Sequence, residues 1–364
     1  MSVDRERLRD QPPMRHVELN PYADIDWSSV GRFKANLHAH TTRSDGALSP
    51  GEVIDAYAAR GYDVLAITDH DTYRNDSRTG AATWPWTDHG RDPEKLGMLA
   101  VRGTEFTGDP AVASIPHLTS WFHDLWQPGD PFDERNEDLA WMLATLDQRD
   151  AVSAWAHPTR GGELRVHGGD PAWFVERHRA HHHLRGFEVY SGTGRPSAAD
   201  SSVLYDAILT RLCQEGVEVP LWANAADDSH HLREIGFDYH VHLLAERSTA
   251  AMRESLSRGS YLVVQDPQGH ALERHLDDGE AFWTAAPMVT RIEVGDRAIT
   301  IDGERYDRID WISDGEVVHT GERLALDAAG LGGYVRAVLH GDAGARTLTQ
   351  PWLLAPSAGA DGDR

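Results

Sequence analysis

The sequence contains one cysteine, Cys213, so no disulfide bond can form within the chain. It also lacks any apolar run of about 20 residues, the length that a membrane-spanning helix requires. The first residues, MSVDRERLRDQPPM, are charged and have no apolar stretch, so they do not resemble a secretory signal. These absences together predict a cytoplasmic protein with no membrane partner. Cys213 lies in a stretch with a helical pattern, which favours a buried and unreactive thiol.

Positive charge is also scarce, because the chain has a formal net charge of -23 and its only lysines are Lys34 and Lys95. A general nucleic-acid-binding protein needs a basic face for the phosphate backbone, so this composition disfavours nucleic acid as the partner. An acidic, lysine-poor surface is typical of a salt-adapted cytoplasm, although a GC-rich genome also depletes lysine. Such a surface repels an anionic small molecule unless nearby arginines offset the charge.

Several widespread catalytic motifs are absent. The sequence has no Gly-x-Ser-x-Gly turn of the kind that presents a nucleophilic serine, and it has no Walker-type phosphate-binding loop. It has no internal repeat and no low-complexity tract. These absences disfavour a serine hydrolase and a P-loop nucleotide hydrolase, and they direct attention to the 21 histidines.

Strand-like and helical patterns divide the chain into parts. At 364 residues, the chain is long enough for one large domain and a small one. We expect an N-terminal extension over residues 1–30, an α/β domain over 31–265 with an inserted loop at 74–97, and a small β-rich domain over 266–356. The last residues, 357–364, are expected to form a frayed tail.

The α/β class follows from the strands that alternate with helices after residue 31. One helix is clearly marked by Ser49 as its N-cap, Pro50 at its first position, Glu52 as the partner in a capping box, and Gly61 at its end. The apolar strands FKANL and DVLAIT flank this helix. Such alternation predicts parallel strands with right-handed crossovers, hence either an α/β barrel or a doubly wound sheet.

Polar residues with metal-binding side chains follow the apolar strands of this domain, at the point where each strand ends. His38 and His40 follow FKANL with one residue between them, so both side chains point to the same face of an extended backbone. Because the carboxyl ends of the strands of a parallel barrel share one face, we expect these side chains to meet there. The other residues of this kind are His70, Glu105, His157, Asp228 and His230.

Asp45 and His117 bring the candidate ligands to nine. One ion takes about three or four protein ligands, so nine ligands fit two or three ions, with a carboxylate such as Glu105 between them. Imidazole together with carboxylate suits zinc, manganese or iron. A single histidine at a strand end is more often an ordinary hydrogen-bonding residue, but that interpretation has to explain five strands independently.

The remaining histidines have ordinary structural explanations. The run of three at 181–183 lies in a polar segment between a helix and a loop, so we expect a solvated face. His240 and His242 alternate within YHVHLL as in a strand, which predicts packing against neighbouring residues. His231, beside the predicted site, is equally compatible with supporting a ligand and with a surface position.

The chain resembles the polymerase and histidinol phosphatase (PHP) family of metal-dependent phosphoesterases in segments that occur in the family's order between residues 34 and 262. They are NLHAHTTRSDG (36–46), LAITDHDT (65–72), RGTEF (102–106), PHLT (116–119), AHP (156–158) and DDSH (227–230). The resemblance implies a distorted (β/α)7 barrel with a trinuclear metal site. It also implies a small C-terminal β-domain, like that of some family members.

The resemblance further implies which residues bind each ion, with Glu105 bridging two of them. One ion would be held by His38, His40, Glu105 and Asp228, a second by Glu105, His117 and His157, and a third by Asp45, His70 and His230. This complete set argues against a degenerate, non-catalytic member. Glu105 and Asp228 are thus the candidate catalytic residues, together with a metal-bound hydroxide.

The expected reaction is attack of a metal-bridging hydroxide on the phosphorus of a small phosphorylated substrate. Metal binding can lower the pKa of water from about 15.7 to about 7, so hydroxide is available near neutral pH. Arg160 and Arg195 are candidate phosphate-binding residues, each equally compatible with a surface role. Asp69 and Asp71 flank His70 and are candidates for orienting the ligands.

Three alternatives stay open. The same metal site can hydrolyse a carbamate, amide or ester, as in relatives that resemble carbaryl-type hydrolases. Phosphate substrates require arginines in the pocket, whereas neutral substrates do not. A nuclease or a polymerase-associated module is the second alternative, which the charge of -23 disfavours. A non-catalytic, metal-stabilised binding module is the third, and the full ligand set argues against it.

Overall fold

A computed structural model describes residues 14–71, 83–107, 117–125, 138–160, 169–269 and 286–357. Strands and helices alternate as far as residue 265, and strands dominate the described residues that follow. This arrangement confirms the mixed α/β class predicted from the sequence. None of the described helices is long and apolar enough to cross a membrane.

The strands and helices up to residue 265 supply the scaffold of the candidate site. The strands are β1 (Arg15–Leu19), β2 (Gly31–Asn36), β3 (Val64–Ile67), β4 (Leu99–Phe106), β5 (Leu118–Trp121), β6 (Val152–Trp155), β7 (Leu184–Ser191), β8 (Ala199–Asp200), β9 (Trp222–Ala226), β10 (Asp238–Leu244) and β11 (Tyr261–Gln265). The α-helices are α1 (Pro50–Ala59), α2 (Pro93–Leu96), α3 (Leu139–Asp147), α4 (Pro171–Ala180), α5 (Ser202–Gln214) and α6 (Thr249–Arg258).

Helix α1 begins and ends where the sequence indicates. The Glu52 N–H donates to the Ser49 side chain, and the Ser49 N–H donates to Glu52 Oε2 at 2.7 Å, which completes the capping box. Pro50 occupies the first helical position, where its missing N–H leaves no helical hydrogen bond unmade. Gly61 follows the helix with a φ of 67°, a conformation that glycine adopts without strain.

The main sheet joins strands from across the chain in the order β11-β10-β2-β3-β4-β5-β6-β7, and β9 pairs with β7. The pairs β2–β3, β3–β4, β6–β7 and β7–β9 are parallel, as the alternation of strands and helices predicts. Strand β5 is antiparallel to both β4 and β6. Its first residue therefore lies at the edge where β4 and β6 end, and His117 immediately precedes it.

Strand β10 runs antiparallel to β2 and β11, and it also contacts β9. The Ala225 N–H of β9 donates to Nε2 of His240 on β10 at 3.0 Å. This hydrogen bond connects the first and last strands of the series β10-β2-β3-β4-β5-β6-β7-β9. His240 and His242 are buried, with ring centroids 4.8 and 4.7 Å from that of Tyr261. The prediction that these two histidines pack structurally is confirmed.

Aromatic side chains fix the helices behind β7. The ring centroids of Phe174 on α4 and Phe187 on β7 lie 5.5 Å apart, and those of Phe187 and Tyr205 on α5 lie 5.7 Å apart. Each such buried side chain contributes roughly 1.5–3 kcal/mol through burial of apolar surface. This packing holds β7 in place, and β7 carries Glu188, which contacts the candidate site.

The described residues after 285 are mostly strands. They are β12 (Met288–Val294), β13 (Ala298–Glu304), β14 (Arg308–Ser313), β15 (Glu316–Thr320), β16 (Arg323–Ala325), β17 (Tyr334–His340), β18 (Arg346–Leu348) and β19 (Trp352–Pro356). Strands β12, β13 and β16 form a separate three-stranded sheet. The others continue the main sheet, because β18 pairs with β11 and β17 pairs with β14, β18 and β19.

Two segments without a clear sequence pattern have regular structure. Within the expected N-terminal extension, β1 pairs antiparallel to β19, so strands near the two ends of the described chain lie side by side. Part of the expected insertion at 74–97 lies outside the described residues. The described residues 83–97 contain a 3-10 turn at Trp86–His89 and helix α2, and Trp86 is buried.

Candidate metal centre

The structure brings the nine predicted ligands together at the edge of the main sheet where β2, β3, β4, β6 and β9 end. Isolated parallel bridges align the strand ends there, between Ala39 and Ser229 and between His70 and Glu105. We call these residues the nine-residue centre. They are His38, His40, Asp45, His70, Glu105, His117, His157, Asp228 and His230.

Four of these residues form a central group: His38, His40, Glu105 and Asp228. Glu105 Oε2 lies 3.1 Å from Nε2 of His38 and 2.9 Å from Nε2 of His40. Asp228 Oδ1 lies 3.4 Å from Nε2 of His38 and 3.2 Å from Nε2 of His40. All four side chains are buried, so their atoms converge on a point shielded from solvent.

Two carboxylate oxygens of the central group test whether a cation fits there. Glu105 Oε2 and Asp228 Oδ1 are buried, and neither has a hydrogen-bond partner, despite the imidazole nitrogens nearby. Two ligand atoms at about 2.1 Å from a tetrahedral ion are about 3.4 Å apart and point at the ion rather than at each other. A buried carboxylate oxygen without a partner is costly, so this donor set fits a divalent cation.

A second group uses the other oxygen of Glu105. Oε1 lies 2.8 Å from Nδ1 of His117 and 2.9 Å from Nε2 of His157. The two oxygens of one carboxylate thus face different pairs of imidazoles, which is the arrangement that a bridging ligand requires. His157 has a φ of 29° and Asp228 a φ of 47°, so both residues hold the left-handed backbone conformation that costs roughly 1–3 kcal/mol outside glycine.

A third group lies around Asp45. Asp45 Oδ2 is 3.1 Å from Nε2 of His230 and 3.7 Å from Nε2 of His70. His40 also approaches this group, since its Nδ1 lies 3.5 Å from Asp45 Oδ1. The ring centroids of His40 and His70 are 4.6 Å apart, so the third group adjoins the central group. The three groups therefore form one continuous cluster.

The charges of the centre depend on one another. Burial raises the pKa of Glu105, but nearby His38, His70 and His117 outweigh it and hold that pKa well below its usual value. Burial lowers the pKa of His40, but Asp228 and Glu105 raise it to about 10. The carboxylates are thus held as anions by neighbouring positive charge, a role that divalent cations also fill.

Burial dominates at two other imidazoles of the centre. It lowers the pKa of His70 and of His157 below the ordinary value, despite the anionic Glu105 beside each of them. A neutral imidazole carries the lone pair that a metal ion takes. Among the imidazoles of the centre, those of His70 and His157 are thus the ones that burial favours in the neutral form.

Glu188 on β7 supports the centre, and the sequence pattern did not reveal it. Its Oε1 lies 2.7 Å from Nδ1 of His38, and its Oε2 accepts a hydrogen bond from the His157 N–H at 2.8 Å. A carboxylate on the far nitrogen fixes the ring orientation of a metal-binding histidine. The one available signal was a glutamate inside the apolar strand GFEVY.

Asp69 and Asp71 hold the loops around the third group, as the sequence suggested. Asp69 accepts hydrogen bonds from the Thr41 N–H at 2.7 Å, and from the hydroxyls of Ser44 and Thr83 at 2.7 and 2.6 Å. This fixes the turn that carries Asp45. Asp71 accepts from the Thr107 N–H at 3.1 Å, and the Thr107 hydroxyl lies 2.8 Å from Nδ1 of His70.

Both predicted substrate-binding arginines lie next to Asp228. The Arg195 guanidinium donates to the Asp228 backbone oxygen at 2.7 Å and to Oδ2 at 2.8 Å, and it lies 2.9 Å from Nδ1 of His230. Arg160 is more loosely held, with its Nη2 3.7 Å from Asp228 Oδ2. Their side chains are 14% and 25% exposed, respectively, so both line the solvent side of the centre.

Two other histidine predictions have clear outcomes. The solvated face expected at residues 181–183 is wrong for His183, which is buried beside Ser153 and the Leu143 carbonyl. Helix α4 ends at Ala180, and the chain then turns inward to enter β7 at Leu184. The exposed His231 caps the 3-10 turn at Leu232–Glu234, so it orders the loop after His230.

Comparisons with known proteins give short sequence matches and structural matches, of which one covers most of the chain. No protein-family model matches the chain. It is 44% identical over 57 residues to the DNA polymerase/3'-5' exonuclease PolX of Bacillus subtilis, which is 15% of this chain and 10% of that protein. It is 54% identical over 39 residues to a 5'-3' exoribonuclease of Haemophilus influenzae, or 11% of this chain and 14% of that protein.

A third short match is to the 3',5'-nucleoside bisphosphate phosphatase of Chromobacterium violaceum, 61% identical over 36 residues, which is 10% of this chain and 13% of that protein. The matched segments thus span only 10% to 14% of these relatives. One structural match is to a two-domain protein of Bacteroides vulgatus that contains a predicted PHP-like metal-dependent phosphoesterase. It has a TM-score of 0.52 and 15% identity, and it covers 93% of this chain and 90% of that one. The predicted resemblance to PHP-like phosphoesterases is confirmed at the level of the fold.

Proposed function

We propose that this chain is a metal-dependent phosphoesterase that acts on a small phosphorylated substrate. The observation that carries the proposal is the buried convergence of the central group, in which Glu105 Oε2 and Asp228 Oδ1 lack hydrogen-bond partners among imidazole nitrogens. The PHP-like fold and the match to a nucleoside bisphosphate phosphatase support phosphate chemistry over other uses of such a centre.

The nine-residue centre would hold two or three divalent ions of manganese, zinc or iron. His38, His40, Glu105 and Asp228 would bind one ion, and Glu105 with His117 and His157 a second. Asp45, His70 and His230 would bind the third. When bound, such ions lower the pKa of a coordinated water to about 7 and neutralise charge on phosphoryl oxygens.

Residues in and around the centre would position the ions and bind the substrate phosphate. Glu105 would keep two ions at a fixed separation, because each of its oxygens faces a different pair of imidazoles. Glu188 would hold His38 and the His157 backbone in register. Arg160 and Arg195 would attract the substrate phosphate against the net charge of -23, since a guanidinium pairs with two phosphate oxygens at once.

We also propose a domain division for this function. Residues 31–265 would form a distorted (β/α)7 barrel of the PHP type, with 74–97 as an inserted loop. Residues 266–356 would form a small β-domain after the barrel. An extension at 1–30 would precede the barrel, and a tail at 357–364 would follow the β-domain. The pairing of β18 with β11 supports a firm attachment between barrel and β-domain.

Nucleic acid is a less favoured substrate. Two of the short sequence matches are to proteins named as exonucleases, but they cover 10% and 14% of those proteins. A chain of net charge -23 lacks the excess of positive charge that a phosphate backbone requires. A small phosphate ester needs only the arginines beside the centre.

The test is a hydrolysis panel on the full chain, stripped of metal and reloaded with manganese, zinc or iron. The panel comprises p-nitrophenyl phosphate, bis-p-nitrophenyl phosphate, a nucleoside bisphosphate, a single-stranded oligonucleotide and an aryl carbamate. We expect metal-dependent phosphate release from monoesters. Hydrolysis of the carbamate without phosphate release would instead establish the carbamate alternative.

Variants connect the activity to the centre. His38→Ala and Asp228→Asn are each expected to abolish turnover while far-ultraviolet circular dichroism stays unchanged. The control is His319→Ala, which removes an exposed histidine from β15. Full activity in His38→Ala would contradict the assignment of the central group.

A further inference from the structure

We infer that the chain carries a second metal site, formed by Asp147, His181 and His183, at the opposite end of strand β7 from the nine-residue centre. One ligand atom from each of these residues lies within 4.8 Å of the other two. Asp147 ends helix α3, His181 is the C-cap of α4, and His183 immediately precedes β7. The site would take one divalent transition ion such as zinc.

Its position separates it from the proposed active site. His183 stands at the start of β7, whereas Glu188 and the carboxyl end of that strand face the nine-residue centre. Glu188 comes five residues after His183, which corresponds to roughly 17 Å of strand at about 3.3 Å per residue. The two sites therefore cannot share an ion, and each can be tested without the other.

The first observation is an unsatisfied carboxylate oxygen. Among the described residues, three buried carboxylate oxygens lack a hydrogen bond: Glu105 Oε2, Asp228 Oδ1 and Asp147 Oδ1. The first two belong to the central group, where they lie about 3 Å from imidazole nitrogens without hydrogen-bond geometry. Asp147 Oδ1 repeats this arrangement, with Nδ1 of His182 at 2.9 Å.

The second observation is the orientation of His183. The Leu143 carbonyl can only accept, so Nε2 of His183, 3.1 Å away, carries the proton. Nδ1 therefore carries the lone pair, and the Ser153 hydroxyl is its neighbour at 2.9 Å. A ring held at one nitrogen by a backbone carbonyl is typical of a metal-binding histidine, and an ion at Nδ1 would replace the Ser153 hydroxyl as the partner of this lone pair.

The third observation is the donor set and its accessibility. His181 Nδ1 lies 2.6 Å from Asp147 Oδ2, so imidazole and carboxylate converge from the carboxyl ends of two different helices, α4 and α3. The Asp147 side chain is 21% exposed and that of His182 is 62% exposed, which leaves a path for an ion to enter. His182 can supply a fourth ligand at the mouth. Three imidazoles and one carboxylate suit zinc better than calcium or magnesium, which prefer oxygen ligands.

The site would fasten α3 to the segment between α4 and β7. The competing interpretation is two metal-free ion pairs, in which the Asp147 carboxylate pairs with protonated His181 and protonated His182. The two interpretations differ in one measurable quantity, the number of zinc ions bound per chain.

The experiment measures zinc per chain by equilibrium dialysis of the full chain after removal of all metal. We expect Asp147→Asn to bind one ion fewer than the wild type, and His181→Gln to do the same. His319→Ala, the exposed-histidine control, should match the wild type. Equal zinc content in the wild type and both folded variants would overturn the proposal, whether or not the phosphoesterase activity is found.

A second measurement needs no variant. Diethylpyrocarbonate modifies accessible neutral imidazoles, and mass spectrometry of peptides covering residues 181–183 reports the extent. We expect one equivalent of zinc beyond that bound by the nine-residue centre to protect this peptide at least fivefold, and His319 to be modified equally with and without zinc. Equal modification of residues 181–183 in both states would overturn the site.

Discussion

The Nδ1 atom of His38 lies 2.7 Å from Oε1 of Glu188, a contact between two buried residues 150 positions apart in the chain. The second oxygen of the same carboxylate accepts the His157 N–H at 2.8 Å. One side chain thus orients a ligand of the central group and the backbone that presents His157. Such an acceptor on the far nitrogen of a ligating imidazole strengthens the metal–nitrogen bond.

We expect Glu188→Gln to weaken metal binding about 10- to 100-fold and to lower kcat, because an amide is a weaker acceptor than a carboxylate. The change is nearly isosteric, so the fold should persist. Metal affinity is measured by competition with a chelator of known affinity. Glu176→Gln, on the exposed side of α4, is the matched control. If both variants retain wild-type affinity, Glu188 has no role in positioning His38.

Arg160 and Arg195 should respond differently to substitution because the structure holds them differently. Arg195 makes two close contacts with Asp228, whereas Arg160 is 3.7 Å away and more exposed. We expect Arg160→Met mainly to raise KM for a phosphate monoester about 10- to 100-fold, the effect of losing a charged hydrogen bond of about 1.5–3 kcal/mol. Arg195→Met should also lower kcat and metal retention.

Steady-state kinetics on the reloaded enzyme separate these outcomes. Arg233→Met is the control, because Arg233 has a side chain that is 72% exposed. An unchanged KM in Arg160→Met would remove Arg160 from the substrate-binding residues. An increase in kcat for Arg195→Met would contradict its proposed support of Asp228.

The sequence allowed us to predict that most residues of the nine-residue centre lie close together, because they stand where apolar strands end. His38, Glu105, His157 and Asp228 each stand at or near a strand end, and parallel strands bring such ends to one edge. Asp45 and His117 are the exceptions. Asp45 lies in the loop after β2, and His117 precedes the antiparallel strand β5, whose reversed direction brings it to the same edge. The roles of both follow from the family resemblance rather than from strand periodicity.

Other features depend on contacts that a local pattern does not encode. Glu188 occupies the interior of an apolar strand, and its partner His38 lies far away in the sequence. The pairing of β1 with β19 likewise joins distant segments, each too short to be recognised alone. His183 looked like part of a polar surface because its neighbours are charged or polar, yet the start of β7 carries it inside.

Buried histidines predict how stability depends on pH. Burial lowers the pKa of His123 to about 4, against about 6.5 in an unfolded chain. Between these values the unfolded state binds more protons, so stability is full above pH of about 6.5 and falls as the pH drops toward about 4. The loss from this residue amounts to about 3 kcal/mol at most, at about 1.4 kcal/mol per pH unit.

Urea unfolding of metal-free protein at pH 8, 6.5 and 5 checks this. We expect the difference in unfolding free energy between the wild type and His123→Gln to shift in favour of the variant as the pH falls. The metal ligands titrate in both proteins, so their contributions cancel in this difference, and its pH dependence reports on the titration of His123 alone. His319→Gln, at an exposed position, should follow the wild-type curve. A pH-independent difference would show that His123 titrates normally.

A buried ion pair joins helix α5 to strand β17 of the C-terminal strands. Arg336 on β17 donates to both oxygens of Asp206, at 2.7 Å from Nε and 2.6 Å from Nη2, and both side chains are buried. The Tyr334 hydroxyl donates to the same carboxylate at 3.0 Å. Removing one partner leaves the other charge buried and uncompensated, which typically costs about 3–5 kcal/mol.

We therefore expect Arg336→Met and Asp206→Leu each to lower the unfolding free energy by about 3–5 kcal/mol, whereas the double variant should lose much less than the sum. The reason is that the pair is expensive to bury, so removing both charges also removes the desolvation penalty. Chemical unfolding of the three variants and the wild type completes a double-mutant cycle. Additive losses would mean that Arg336 and Asp206 act independently, and that the attachment of the C-terminal strands to α5 rests on apolar packing instead.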